Sequence, residues 1–385
     1  MVVQLLAQQY IPISPRHVSL LTLDGGSPAA VVALSSAYDR FNRVYFFEWD
    51  CPSKAETFRL VHTAVPGGKV NALSLVLSQE GVVHCVVQCS GGDGPEGSME
   101  KTKTYVLRRT EDADGFDSVD DGYNGNEEVF SVRYKVLPKG LEDDDRDWTV
   151  ATRLNRGISG AQNQNHAARI VAACGGERGQ QNALKVVYLS GTRLLVQQTI
   201  ELPVLSTFPV LQLAEVEGDD SSFLALCHHA VLEIDPRLKQ QDTVVRAWKW
   251  TARDPLTSFA VKDNSLVAGT EDGVMVLWDL RFSAVHSNSS VAVDHSASCG
   301  APITGMHMPH SSSILSCQAD GSVLTWGRQR DADVACYTGS TFVPQSVSAL
   351  PPVFVGSPGC VALAGEDRLA VVADESGTLS IFTLA

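Results

Sequence analysis

Short runs of apolar residues, many alternating with polar ones, are spread along the whole chain between clusters of Gly, Asp, Asn and Ser. A period of two predicts half-buried β-strands, and the intervening turn residues predict hairpins. The pattern is sharpest from Leu266 to Arg281. Leu266 to Ala268 reads as a strand and Glu271-Asp272-Gly273 as a turn whose Gly supplies a positive φ. Val274 to Trp278 reads as a second strand. Two later hairpins repeat the spacing: Gly321 precedes Trp326, and Gly377 precedes Phe382, by the same five residues that separate Gly273 from Trp278. Short strands at periods of about 40 to 50 residues predict four-stranded propeller blades, not helical solenoid units.

Taken in order, the strands fall into groups of four. The first group is Val18 to Leu23, Ala30 to Ser35, Arg43 to Trp49 and Thr57 to His62. The second is Lys69 to Leu77, Gly81 to Cys89, Thr102 to Arg108 and Val129 to Val136. The third is Trp148 to Leu154, Ala168 to Cys174, Leu184 to Leu189 and Arg193 to Ile200. The fourth is Val210 to Val216, Ser222 to Cys227, Val231 to Ile234 and Thr243 to Trp248. Leu256 to Val261 and a weak strand near Val291 flank the hairpin of the fifth. The sixth is Ile303 to Met308, Ile314 to Cys317, Val323 to Trp326 and Val334 to Tyr337, followed by a long connection from Thr338 to Phe354. The seventh has only Cys360 to Ala364, Arg368 to Ala373 and Thr378 to Phe382. Val2 to Leu6 stands unused before the first group, so pairing it with Thr378 to Phe382 supplies the missing strand and closes the ring. Closure removes sheet edges that invite aggregation.

A hairpin ending in Trp278-Asp279, with a second Trp-Asp pair at Trp49-Asp50, resembles the inner strands of WD40 repeats. The resemblance implies an all-β, seven-bladed WD40-like β-propeller, a single domain over residues 1–385. In that family a Ser or Thr of the second strand, the turn Asp and the Trp form a hydrogen-bonded set. Asp320, Ser316 and Trp326 match this. Asp272 and Trp278 match, but Ala268 stands at the Ser/Thr place, and the family's Gly-His dipeptide is absent.

Charge changes the picture locally. The net charge is −14, and Glu111 to Glu128 alone carries eight acids with no Lys or Arg, while Glu142 to Asp147 carries five acids and Arg146. The rest of the chain is near neutral. A basic stripe for nucleic acid is therefore not expected. The acidic stretches read as loop insertions at 110–128 and 139–147, too polar to order themselves by burial. No apolar run is long enough for a membrane span, and Met1 to Ala7 does not read as a signal peptide. Nine Cys, odd in number and without a Cys-x-x-Cys pair, read as buried thiols in a reducing compartment.

Candidate chemistry is sparse. Gly157-Ile158-Ser159-Gly160 is not a nucleophile elbow, and Gly67-Gly68-Lys69 lacks both the upstream half of a phosphate loop and the Ser or Thr that follows its Lys. Cys227-His228-His229 offers two ligands on one strand face but no third. The acidic stretches lack calcium-loop spacing. No cofactor, metal or catalytic set is expected, and the chain reads as no enzyme. The candidate protein-interaction residues are Glu142, Asp143, Asp144 and Asp145, as a docking patch for a basic partner, and Arg281. Trp278-Asp279-Leu280-Arg281 is similar to a pattern on substrate receptors of cullin ubiquitin ligases, where the Arg meets an adaptor propeller.

A further resemblance covers about 120 residues of the last third: the two hairpins through Trp278 and Trp326, the Ser-rich connection, Gly359-Cys360-Val361-Ala362-Leu363-Ala364-Gly365 and the terminal hairpin. These look like the propeller nucleoporins of the Y-shaped outer scaffold of the nuclear pore. The resemblance implies a scaffold subunit at the nuclear envelope, monomeric alone, that binds a helical-solenoid scaffold protein. It implies neither direct nucleic-acid binding nor membrane insertion. The alternative is a cullin-ligase substrate receptor, for which the cytoplasm is the alternative location.

Overall fold

Among the described residues, twenty-eight strands form seven four-stranded antiparallel sheets. The computed structural model describes residues 3–11, 15–23, 29–36, 43–49, 58–64, 69–78, 80–90, 102–112, 131–137, 147–154, 168–175, 182–190, 193–202, 209–216, 222–280, 291–293, 301–330, 340–346, 360–366 and 368–384. Blade 1 is β2 (Pro15–Thr22), β3 (Ala30–Ser36), β4 (Arg43–Trp49) and β5 (Phe58–Ala64). Blade 2 is β6 (Val70–Leu77), β7 (Val83–Cys89), β8 (Lys103–Asp112) and β9 (Ser131–Val136). Blade 3 is β10 (Trp148–Leu154), β11 (Arg169–Cys174), β12 (Ala183–Ser190) and β13 (Arg193–Glu201). Blade 4 is β14 (Gln212–Glu215), β15 (Phe223–Cys227), β16 (Ala230–Ile234) and β17 (Val244–Lys249). Blade 5 is β18 (Leu256–Lys262), β19 (Ser265–Thr270), β20 (Met275–Asp279) and β21 (Val291–Val293). Blade 6 is β22 (Ile303–His310), β23 (Ser313–Gln318), β24 (Val323–Arg330) and β25 (Ser340–Ser346).

Blade 7 joins the two ends of the chain. Its own strands are β26 (Cys360–Glu366), β27 (Leu369–Asp374) and β28 (Thr378–Leu384), and β1 (Val3–Tyr10) supplies the fourth. Register runs from Val3 opposite Leu384 to Tyr10 opposite Thr378, with a bulge at Leu6, and Ile11 N donates to Gly377 O at 2.8 Å. The ring closes as the sequence predicts, over a longer strand than Val2 to Leu6.

Seven hydrophobic clusters hold the ring, and each is shared by two neighbouring blades. The core therefore lies in the seams between sheets, as face-to-face packing of twisted sheets requires. The aromatic that ends the third strand faces the preceding blade. Trp49 packs against blade 7, Trp278 against blade 4, Trp326 against blade 5 and Phe382 against blade 6. All four are buried, and for Trp278, Trp326 and Phe382 the equal offset from a turn Gly is a folding regularity.

The recurring Gly has a local cause. Gly81, Gly273, Gly321 and Gly377 all have φ between 73 and 88°. The amide of each donates to the carbonyl three residues earlier: Ser78, Thr270, Gln318 and Asp374. In the first three, the residue accepting that bond donates its own amide one residue further on, to Val82, Val274 and Ser322. This is a type I turn closed by a Gly bulge, and a Cβ at that φ costs strain.

Two boundaries differ from the sequence reading. The fourth strand of blade 6 is Ser340–Ser346, inside the stretch read as connection, and Val334 to Tyr337 lies outside the described residues. Pro344 hid it, since Pro argues against a central strand. It pairs opposite Trp326 on the outermost strand, where a missing amide costs no ladder bond on the open side. The acidic insertion also begins later than position 110. Thr110, Glu111 and Asp112 belong to β8 and pair with Arg133, Val132 and Ser131.

Candidate functional site

Every blade is antiparallel and four-stranded, so each returns the chain to the face where it began. The innermost strands β2, β6, β10, β14, β18, β22 and β26 therefore all run the same way, from a front face to a back face. They line a central channel with a cavity of about 350 Å³.

Six of these strands carry a bulge near the front, at Arg16, Asn71, Thr149, Thr257, Thr304 and Val361. A bulge re-aims the side chain of its extra residue. Thr149 Oγ1 uses this to donate to Val210 O at 3.2 Å, from blade 3 to blade 4. Thr257 Oγ1 donates to Ile303 O at 2.5 Å, from blade 5 to blade 6.

Other polar groups join the remaining blades. Leu75 N of blade 2 donates to Ser19 Oγ of blade 1 at 3.1 Å, and Trp148 N of blade 3 donates to Gln88 Oε1 of blade 2 at 2.6 Å. The Gln212 amide makes two bonds of 2.9 Å to the Phe259 backbone, linking blades 4 and 5. Thr22 N of blade 1 donates to Glu366 Oε2 of blade 7 at 2.8 Å. Arg153 of blade 3 reaches the same carboxylate, through Oε1, across the back of the channel. The channel's charged and amide side chains are thus largely committed to the ring itself.

Two further clusters lie outside the channel. Glu48 of β4 accepts from Arg109 Nε and Nη2 of β8 at 2.7 and 3.0 Å, and from Tyr134 Oη of β9 at 2.7 Å. Burial, then the adjoining Glu48 carboxylate, pushes the Tyr134 hydroxyl far above the usual range. Arg246 of β17 pairs with Glu233, lies over the Trp248 ring and donates to Leu280 O in blade 5. Both tie one blade to the next or brace its outer strands.

The hydrogen-bonded set expected around Trp326 forms in part. Trp326 Nε1 donates to Ser316 Oγ at 2.9 Å. Asp320 does not join it. Its carboxylate accepts from Ser322 N and Ser322 Oγ within its own turn. In blade 5, where Ala268 replaces the Ser, the buried Trp278 Nε1 has no partner.

Glu142, Asp143, Asp144, Asp145 and Arg281 all lie outside the described residues, as does most of each acidic stretch. Cys227 is buried, and burial pushes its thiol up to about 11. Burial, then His229, lowers the pKa of His228. Among the described residues no group of three or more His, Cys, Asp or Glu could hold a metal ion. Cys85, Cys89, Cys174, Cys227 and Cys317 are buried. No helix among the described residues is long and apolar enough to cross a membrane.

Sequence reasoning missed the seam contacts. Arg153 and Glu366 are 213 positions apart, and Arg109 and Glu48 are 61 apart; no local pattern ties such pairs together. The signal for the seam contacts is the polar residue near the start of several inner strands, such as Thr149, Thr257 and Thr304. The fold is a seven-bladed β-propeller, consistent with the WD40 type. A scan of protein-family models and a search of curated proteins both returned no match for this chain.

Proposed function

We propose that this protein is a non-catalytic interaction scaffold, a structural subunit of a multiprotein assembly. The observation that carries the reading is the commitment of channel side chains to joining blades: Ser19, Gln212, Thr257, Arg153 and Glu366. Groups spent on rigidity are not poised for proton transfer or nucleophilic attack. A stiff ring presents its loops and blade edges in fixed relative positions, which lowers the ordering cost of binding.

The finer reading rests on the resemblance of the last third to propeller nucleoporins. It makes the assembly the outer scaffold of the nuclear pore, the location the nuclear envelope, and the partner a helical-solenoid subunit met by a monomeric propeller. Fold does not dictate function, so the test is direct. Affinity capture of the full chain from nuclei, with cross-linking and mass spectrometry, should recover pore scaffold subunits cross-linked to propeller loops. Recovery of a cullin adaptor, lost on Arg281→Ala, would establish the ligase-receptor reading in its place.

A further inference from the structure

Blade 7 is put together differently from the other six. Within those six, neighbouring strands are consecutive in the chain. Among the described strands, β1 and β28 are the one neighbouring pair in a blade that is not. No hairpin joins them, so they are held by the backbone ladder and by shared burial alone.

The two sides of this join belong to different bodies. Leu6 and Ile11 pack into the cluster shared with blade 1, and β1 leads directly to β2. Leu5, Gln8 and Tyr10 are exposed, and Gln8 Nε2 donates to Ser380 Oγ at 3.3 Å. On the far side, blade 7 is fitted to blade 6. A Cβ on Gly305 would lie 2.6 Å from Leu363, and one on Gly365 2.1 Å from the His307 ring. Inner strands β22 and β26 thus touch with no room for a methyl group between them, and such contacts hold their elements together as one body.

A second tie crosses the join at the inner rim. Glu366 ends β26 and is 5% exposed. Its Oε2 accepts from Thr22 N of blade 1, and its Oε1 accepts from Arg153 of blade 3. Glu48 and Arg109 join neighbouring blades, whereas Arg153 and Glu366 pair across the cavity, past blades 1 and 2. Moving β28 away from β1 as part of blade 7 carries Glu366 away from both partners.

We propose that the ring has a built-in opening between β1 and β28, and that Glu366 is its latch. In the opening, β26, β27 and β28 swing out with blade 6 while β1 stays with blade 1. The motion breaks the β1–β28 ladder at the outer rim and the bonds to Thr22 and Arg153 at the inner rim. The inference is independent of the scaffold reading.

The test is native-state hydrogen exchange of the full chain, followed by mass spectrometry and compared with urea unfolding. The informative amides cross the join: those bonded between β1 and β28, Ile11 N to Gly377 O, and Thr22 N to Glu366. In the native protein they should exchange through an opening at least tenfold more frequent than global unfolding. Glu366→Gln keeps an acceptor for Thr22 N and removes the charge that faces Arg153. It should speed exchange of the β1–β28 amides at least tenfold. Arg153→Met should do the same, and the double change should add less than twofold to Glu366→Gln, because the pair is already broken. Exchange of these amides unchanged in the variants, whatever happens to overall stability, would mean that β1 peels away alone and would overturn the latch. Exchange in the native protein no faster than global unfolding would mean that the ring has no separate opening and would end the proposal. Should Arg153→Met fold poorly, with the Glu366 carboxylate stranded, the neutral Glu366→Gln variant decides.

Discussion

Between blades 1 and 2, contact depends on polar side chains that reach across the seam: Glu48 to Arg109 and Tyr134, and Ser19 to the Leu75 amide. Between blades 5, 6 and 7, beside the bond from Thr257 to Ile303 O, it depends on side chains that are missing. A Cβ on Gly269 would lie 2.7 Å from Ile303, one on Gly305 2.6 Å from Leu363, and one on Gly365 2.1 Å from the His307 ring. The two regions close the same ring by different physics. One is directional. The other is close contact, sensitive to a single methyl group. Both regions leave buried polar atoms without partners, Ser35 Oγ in blade 1 and Ser313 Oγ and Gln318 Nε2 in blade 6.

The comparison breaks most visibly at the buried ion pair. Arg109→Ala leaves the Glu48 carboxylate buried beside Tyr134 without its cation. Such a loss typically costs about 3 to 5 kcal/mol. Urea unfolding should show it. The double change Arg109→Met with Glu48→Leu should recover most of the loss, since it removes the stranded charge as well.

Acid should separate the seams next. His17 and His84, both lowered below 6.5 by burial, lie in blades 1 and 2. The unfolded chain then binds more protons than the folded one below the ordinary His value, so stability falls as pH drops from about 6.5 toward 4. For His17 alone the full loss is on the order of 3 kcal/mol. Melting curves should show the slope in the native protein and a shallower one in His17→Gln. An equal slope in that variant would assign the acid sensitivity elsewhere.

Gly365→Ala probes the other kind of seam. Overpacking of this sort typically costs about 1 to 3 kcal/mol. The added methyl meets the flat His307 ring, so pairing it with His307→Ala should restore much of the loss. A Gly365→Ala protein of unchanged melting temperature would show that the His307 ring turns aside freely.

These two kinds of seam differ in how far the sequence betrays them. The strand pattern, the turn Gly and the aromatic five residues later are local, and they carry the blade count and the closure by β1. Pro344 and the Ser-rich context concealed β25, because edge strands are subject to weaker rules than central ones. The pair Arg153–Glu366 exists only because the ring closes, and Arg109–Glu48 only because blades 1 and 2 pack face to face. The site residues singled out from charge, Glu142 to Asp145, lie outside the described residues.

The smallest effect asks which physics governs a single hairpin. Ser316 and Ala268 occupy the same place, two residues along from the partner of the buried Trp: Ile314 pairs with Trp326, and Leu266 with Trp278. The third hairpin has Val372 there, two residues along from Ala370, the partner of Phe382, which has no side-chain N–H to satisfy. Ser316→Ala removes the acceptor of the Trp326 bond and leaves its N–H buried, a loss of about 1 kcal/mol or somewhat more. Ala268→Ser is the reverse change. The orphaned Trp278 N–H would gain an acceptor, and if polar contact rules, stability should rise by about 0.5 to 1.5 kcal/mol. Yet Ala268 is completely buried, and the next residue, Gly269, is already in close contact with Ile303. If close contact rules, the extra oxygen displaces its neighbours and stability falls. Chemical denaturation of the two variants decides it. Opposite signs for Ser316→Ala and Ala268→Ser would show that blade 5 tolerates the missing bond without needing its absence. Destabilisation by both would show that blade 5 is packed around Ala268.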